Sequence, residues 1–231
     1  MHIHPLIVVG LAAIAVALAG LFWLLATPLA RLFVWCVLHI FFKVRIVGGS
    51  RLPKTGAGLI VSNHVSYADA ILIGSATPRF IRFLMWQPLF DNKWLNPFCR
   101  LFRAIPVPTG SPQKSLRALR DARRELEKGE LVGIFPEGEL TRTGDVKPFE
   151  RGVELIARGF ETNPVIPVYI HGLWGHALSM KDGRPFASRL RLRQPVTVCI
   201  GEPVKGPVSA EQLHLRVLEL GGEANGVRHA S

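Results

Sequence analysis

The chain has 231 residues, and its 28 lysines and arginines against 17 aspartates and glutamates give a formal net charge of +11. That length holds one substantial core plus an anchor, because single domains cluster around ~100–200 residues, and the charge calls for an anionic partner. A hydrophobic fraction of 48% favours lipid over nucleic acid as that partner, and Cys36, Cys99 and Cys199, without any CxxC spacing, exclude a zinc knuckle or a legible disulfide framework and read as small buried apolar residues.

The N-terminus reads as an anchor over residues 1–44. Pro5 to Ala30 is free of charge and, at ~1.5 Å per residue, is long enough as a helix to cross a ~30 Å hydrocarbon core. Leu32 to Phe42, after Arg31, is too short to span alone; with Trp35 and His39 it reads as an interfacial or re-entrant helix. A cleaved signal peptide is disfavoured because no lysine or arginine precedes the apolar run. Arg31, Lys43, Arg45 and Arg51 follow it, so the bulk of the chain is expected on the cytoplasmic face of the inner membrane.

From Lys43 onward short apolar runs alternate with amphipathic segments, which predicts an α/β domain over residues 45–206 with a mixed, mostly parallel sheet flanked by helices. Gly58 to Ser62 reads as a buried strand and Tyr67 to Ala76 as the helix after it. Ser111 and Pro112 open a longer helix as N-cap and first residue; Leu116, Leu119, Ala122 and Leu126 supply its buried stripe, and Gly129 closes it. Leu131 to Phe135, Val165 to Ile170 and Val196 to Ile200 read as strands and Gly152 to Phe160 as a helix. In residues 207–231, Ser209 and Gln212 form a capping box before a last helix, with Gly221 onward a loose tail. Residues 79–103 stand apart: seven aromatic residues lie among Arg79, Arg82, Lys93, Arg100 and Arg103. Such a mixture suits a lipid headgroup boundary, and equally a stripe of ordinary core residues.

The run GLIVS leads into Asn63-His64-Val65-Ser66-Tyr67-Ala68-Asp69, which sets a histidine and a carboxylate at the C-terminal end of a strand, where open α/β sheets carry their sites. On one continuous helix the two side chains would splay by ~140°. They meet only if His64 stays on the loop and Asp69 enters the first helical turn. A carboxylate on one imidazole nitrogen leaves the other free to accept a proton, the arrangement of a base acting on a hydroxyl. Ser66-x-x-Asp69 is also a capping box, in which Asp69 would serve backbone donors instead. Pro136-Glu137-Gly138 turns the chain over the same sheet edge, and Arg142, Lys147 and Arg151 follow as cationic donors suited to a phosphate. GxSxG is absent, so no serine nucleophile is expected. His171 and His176 lack HExxH or a third ligand and read as loop residues, with no metal.

Asn63-His64 with Asp69 resembles the NHx4D first motif of the glycerolipid acyltransferase family, whose members include 1-acylglycerol-3-phosphate acyltransferases. Ile105-Pro106-Val107, Phe135-Pro136-Glu137-Gly138 and Val165-Ile166-Pro167-Val168 resemble the family's second, third and fourth motifs, in the same order. The resemblance implies that His64 is the general base, that Asp69 orients it, and that Asn63, Glu137 and Gly138 help hold a lysophospholipid acceptor. The donor would be acyl-CoA or acyl-carrier protein, with no further cofactor, and the other partners membrane phospholipids. The chain departs from the family pattern in two places. Pro108-Thr109 stand where many members carry an arginine after the second motif, and Glu139-Leu140 separate Glu137-Gly138 from Thr141-Arg142. The latter resembles the acyltransferase domain of 2-acylglycerophosphoethanolamine acyltransferases. Acylation of 1-acylglycerol-3-phosphate to phosphatidic acid is the expected reaction, with another lysophospholipid such as lysophosphatidylethanolamine as the alternative acceptor, and a thioesterase or a non-catalytic lipid binder as the rival readings.

Overall fold

Four uninterrupted apolar runs form the middle of the sheet, as expected of strands covered on both faces. In the computed structural model, which describes residues 28–30, 32–159, 162–181, 183–184, 188 and 190–229, these are β2 (Gly58–Ser62), β5 (Leu131–Ile134), β6 (Val165–His171) and β7 (Gln194–Ile200). Three more strands flank them: β1 (Phe42–Val47), β3 (Ile81–Trp86) and β4 (Ile105–Val107). Among the described residues the seven strands make one sheet in the order β1-β7-β6-β2-β5-β3-β4. Five of its pairings are parallel, and β6 with β7 is antiparallel. The expected mixed, mostly parallel sheet is therefore present. The sequence reading did not anticipate β1, β3 and β4. Lys43, Arg45 and Arg82 interrupt the apolar patterns of β1 and β3, β4 is only three residues long, and β1 and β4 are edges where one side of the strand is open to solvent.

After β1 the α-helices are α1 (Asp69–Gly74), α2 (Gln87–Phe90), α3 (Asn96–Leu101), α4 (Pro112–Glu127), α5 (Gly152–Ala157) and α6 (Ala210–His229). Leu59 and Val61 of β2, Val132 and Ile134 of β5 and Val165 of β6 pack with Ala122 and Leu126 of α4, Val153 and Ile156 of α5, and Leu213 and Val217 of α6. Strand side chains alternate between faces, so the fully buried Ile60 and Ile166 belong to the opposite side. In α4, Ser111 and Pro112 stand where expected, but the Ser111 hydroxyl makes no cap bond and lies 3.2 Å from Gln113 Oε1 instead. Ser209 does cap α6, accepting from the Gln212 N–H at 3.1 Å. The loose tail expected from Gly221 is corrected: α6 continues to His229. The reason is close packing, since a Cβ on Gly221 would sit 2.9 Å from the Tyr169 ring. The glycine lets the helix approach β6 and does not end it.

The chain divides into two compact units, residues 1–38 and 39–231. The expected Pro5–Ala30 span lies, but for its last three residues, outside the described residues. Residues 32–41 are helical, and Phe42 already belongs to β1. Leu32, Phe33 and Trp35 are exposed. Cys36 is exposed too, unlike the buried Cys99 and Cys199, which corrects the reading of all three cysteines as buried. Among the described residues no helix is long and apolar enough to cross a membrane.

Candidate active site

The site begins where β2 ends. Asn63 is buried, and its side chain grips β6: Nδ2 donates to Ile170 O at 3.1 Å, and Oδ1 accepts from the Ile170 N–H at 2.8 Å. That fixes the direction in which the chain leaves the sheet. His64 then stands on the loop and Asp69 opens α1, the arrangement the spacing requires. His64 Nδ1 lies 2.9 Å from Asp69 Oδ2. The same oxygen accepts from the N–H groups of Val65 at 2.6 Å and Ser66 at 2.8 Å. The base-partner and capping-box readings of Asp69 thus coexist on one fully buried carboxylate. With its lone pairs committed to N–H donors, Oδ2 holds the proton on Nδ1 and leaves Nε2 as the acceptor.

A column of rings supports the imidazole. His64 stacks on Phe135 with centroids 4.1 Å apart and planes 10° apart, and Phe135 stacks on Phe83 at 5.3 Å. Gly133 of β5 makes room for the column, because a Cβ there would lie 2.3 Å from the Phe83 ring. The sequence reading placed Phe135 in the third motif without giving it a role, and missed Phe83 and Gly133 as parts of the site. The signal available was the aromatic residue directly before Pro136.

Glu137 is buried, and both its oxygens are taken by backbone: Oε1 accepts from the His64 N–H at 2.7 Å and Oε2 from the Lys147 N–H at 2.9 Å. Burial pushes the Glu137 carboxyl above the ordinary glutamate value, and the N–H groups of Lys147 and His64 oppose that shift. Thr141 closes the other side of the loop, donating its N–H to His64 O at 2.9 Å, while its hydroxyl donates to Asp145 O at 2.8 Å. Thr141 was not anticipated either. Gly138 turns at φ +74, a left-handed conformation that favours glycine. Glu137 and Asn63, expected to touch an acceptor, therefore spend their polar atoms on the backbone around His64.

The cations of this loop are more loosely placed. Arg142 is 67% exposed and 4.0 Å from Glu139, whose other oxygen takes the Lys147 ammonium at 2.5 Å. Arg151 pairs with Glu154 at 3.4 Å. Beyond Val65 and the ends of β6 and β7 lies a cleft of about 410 Å³, lined by Tyr169, His171, Trp174, Arg191 and Gln194 among others. His176 is fully buried and accepts from the Leu178 N–H at 3.3 Å; burial lowers its pKa and so favours the neutral ring. Leu178 O in turn accepts from the Tyr67 N–H, so this loop backs the one that carries His64.

A sequence model of the acyltransferase family matches residues 43–171. The chain is 32% identical over 130 residues to a 1-acyl-sn-glycerol-3-phosphate acyltransferase of Bacillus subtilis, covering 56% of this chain and 63% of that one. It is 28% identical over 167 residues to the protein of the same name from Cocos nucifera, covering 69% and 49%. The chain thus spans less than two thirds of the length of these curated relatives. The crystal structure of the 1-acyl-sn-glycerophosphate acyltransferase PlsC from Thermotoga maritima superposes with a TM-score of 0.66 at 26% identity, over 93% of this chain and 90% of that one.

Proposed function

We propose that this chain, which belongs to the acyltransferase family, transfers a fatty acyl group from acyl-CoA or acyl-carrier protein to the free hydroxyl of 1-acylglycerol-3-phosphate, giving phosphatidic acid. The observation that carries the reading is the His64–Asp69 pair at 2.9 Å, with Nε2 unpartnered among the described residues. In this mechanism Nε2 takes the proton of the acceptor hydroxyl as its oxygen attacks the thioester carbonyl, and Asp69 stabilises the resulting imidazolium. The tetrahedral intermediate collapses with loss of the C–S bond, and the imidazolium returns the proton to the leaving thiolate. The reaction needs no cofactor beyond the acyl donor. The names of the Bacillus subtilis and Thermotoga maritima relatives support lysophosphatidic acid as acceptor.

A second acceptor is favoured by one observation: Arg142 and Lys147 share the carboxylate of Glu139, so the loop offers a phosphate less net positive charge than its sequence suggests. A lysophospholipid with a zwitterionic headgroup, such as lysophosphatidylethanolamine, suits that balance. The uncharged N-terminal run and the exposed Leu32, Phe33, Trp35 and Ile40 support anchoring at the inner membrane with the catalytic unit on the cytoplasmic face. The test is transfer of labelled acyl from acyl-CoA and from acyl-carrier protein, with lysophosphatidic acid, lysophosphatidylethanolamine or no acceptor. Labelled diacyl product only with lysophospholipid is expected. Release of free fatty acid at the same rate without acceptor would make the protein a thioesterase and sink the proposal.

A further inference from the structure

Residues 86–101 begin at the last residue of β3 and contain more exposed aromatic surface than packing explains. Trp86 is 54% exposed, Trp94 75%, Leu95 40% and Phe98 48%. Single exposed hydrophobic residues are ordinary, whereas a cluster of large ones marks an interaction surface. The local structure holds them outward. Asn92 Oδ1 accepts from the N–H groups of Trp94 and Leu95 at 3.0 and 3.3 Å, which sets the turn before α3. Asn96 Nδ2 donates to Phe90 O at 2.9 Å and ties α3 back to α2. Cys99 points inward, its sulfur 3.4 Å from that of Met85. Trp94 and Leu95 lie in the turn before α3 and Phe98 in its first turn, and all three are exposed.

Two basic side chains frame the exposed rings. Lys93 lies over the Trp94 ring at 5.4 Å, and Arg100 stands on α3 next to Cys99. The only acid between residues 86 and 103 is Asp91, which accepts from Gln87 at 2.8 Å. Arg79 and Arg82, grouped with this stretch by sequence, belong to the fold instead. Arg79 donates to Pro53, Gly56 and Gly129 carbonyls, and Arg82 pairs with Glu125 and Glu130. Because β3, β5 and β2 run parallel, Trp86 leaves the sheet at the edge that also bears Phe135 and His64.

We infer that Trp86, Trp94, Leu95 and Phe98, framed by Lys93 and Arg100, form a docking surface for an anionic phospholipid bilayer, with Trp94 and Phe98 seated at the boundary between headgroups and acyl chains. Tryptophan and phenylalanine beside basic side chains match that boundary, and the excess positive charge of the chain matches an anionic surface. A single-chain lipid substrate enters from the bilayer, and this surface holds the His64 edge next to it. The inference rests on the phospholipid-acylation reading.

The test uses the full chain with vesicles of phosphatidylethanolamine and phosphatidylglycerol, and a readout local to Trp94, because the apolar N-terminal sequence is able to hold the protein on a membrane by itself. The emission lost in Trp94→Phe, by difference from wild type, reports Trp94. Bromine on the acyl chains should quench that component by roughly half, and vesicles should shield it from aqueous iodide. Lys93→Glu with Arg100→Glu should reduce the quenching on anionic vesicles. Trp94→Gln with Phe98→Gln should raise the KM for vesicle-borne lysophospholipid about tenfold and leave that for a short-chain soluble acceptor unchanged. A Trp94 component equally open to iodide with and without vesicles would overturn the inference. So would shielding that appears without lipid, either on raising protein concentration, which would assign the face to a second copy, or on adding acidic carrier protein. Quenching needs no turnover, so a chain that seats Trp94 in lipid but acylates no lysophospholipid would refute the acylation reading alone.

Discussion

Asp69 Oδ2 receives three N–H donors within 2.9 Å, so one substitution acts on two properties. Asp69→Asn keeps the shape but loses the charge that favours both the His64 tautomer and the buried donors. Activity is expected to fall by about 10²–10⁴ together with a stability loss of about 0.5–2 kcal/mol, read as rate and denaturant midpoint on one sample. A rate unchanged beside lost stability would leave Asp69 a cap only. His64→Ala should lose about 10²–10⁴ in rate with a near-native midpoint, since the imidazole is partly exposed. Glu137 predicts a pH effect. Its folded pKa is raised by burial, so its ionisation costs stability: its contribution is full below the ordinary glutamate pKa and is lost as pH rises through the raised folded value. Glu137→Gln should abolish that downward slope above the ordinary glutamate pKa of about 4.3, measured by unfolding across pH. It should also lower kcat, because an amide offers one acceptor where the His64 and Lys147 N–H groups need two. The slope persisting in the variant would mean that another group titrates there.

At the scale of the elements, the ring column makes a strand residue matter to the site it never touches. Gly133→Ala puts a methyl group into the Phe83 ring, and overpacking of this kind costs about 1–3 kcal/mol. Phe83 stacks on Phe135, which carries the His64 ring, so kcat should drop along with the thermal midpoint. A Gly133→Ala enzyme less stable but unchanged in kcat would show that the column is packing alone. Helix α6 gives a contrasting case. Leu213 is fully buried in the core it shares with β2, β5 and β6, so Leu213→Ala should cost about 2–5 kcal/mol and leave kcat of the folded fraction intact.

For the whole molecule, the parallel strands gather His64, Phe135 and Trp86 at one sheet edge, and the net charge of +11 fits the proposed anionic bilayer. Removing residues 1–38 is expected to weaken sedimentation with anionic vesicles without ending it, and high salt should strip what remains, because surface charge is screened within roughly 8–10 Å near physiological ionic strength. Full release at low salt would leave no interfacial role for residues 86–101. The sequence by itself determined the α/β class, the four central strands, the long helix after Ser111 and the family, because uninterrupted apolar runs, caps and short ordered motifs are local signals. Tertiary structure decided the rest. Asn63 meets Ile170 across 107 residues and Glu137 meets His64 across 73, and no spacing rule carries strand register that far. Whether a polar side chain in a motif faces substrate or backbone depends on which N–H groups the register leaves without partners, and a buried donor left unpaired costs more than a surface one. Likewise Gly221 reads as a helix stop until Tyr169 lies against it, and Arg79 and Arg82 read as headgroup cations until the carbonyls and carboxylates of distant loops surround them.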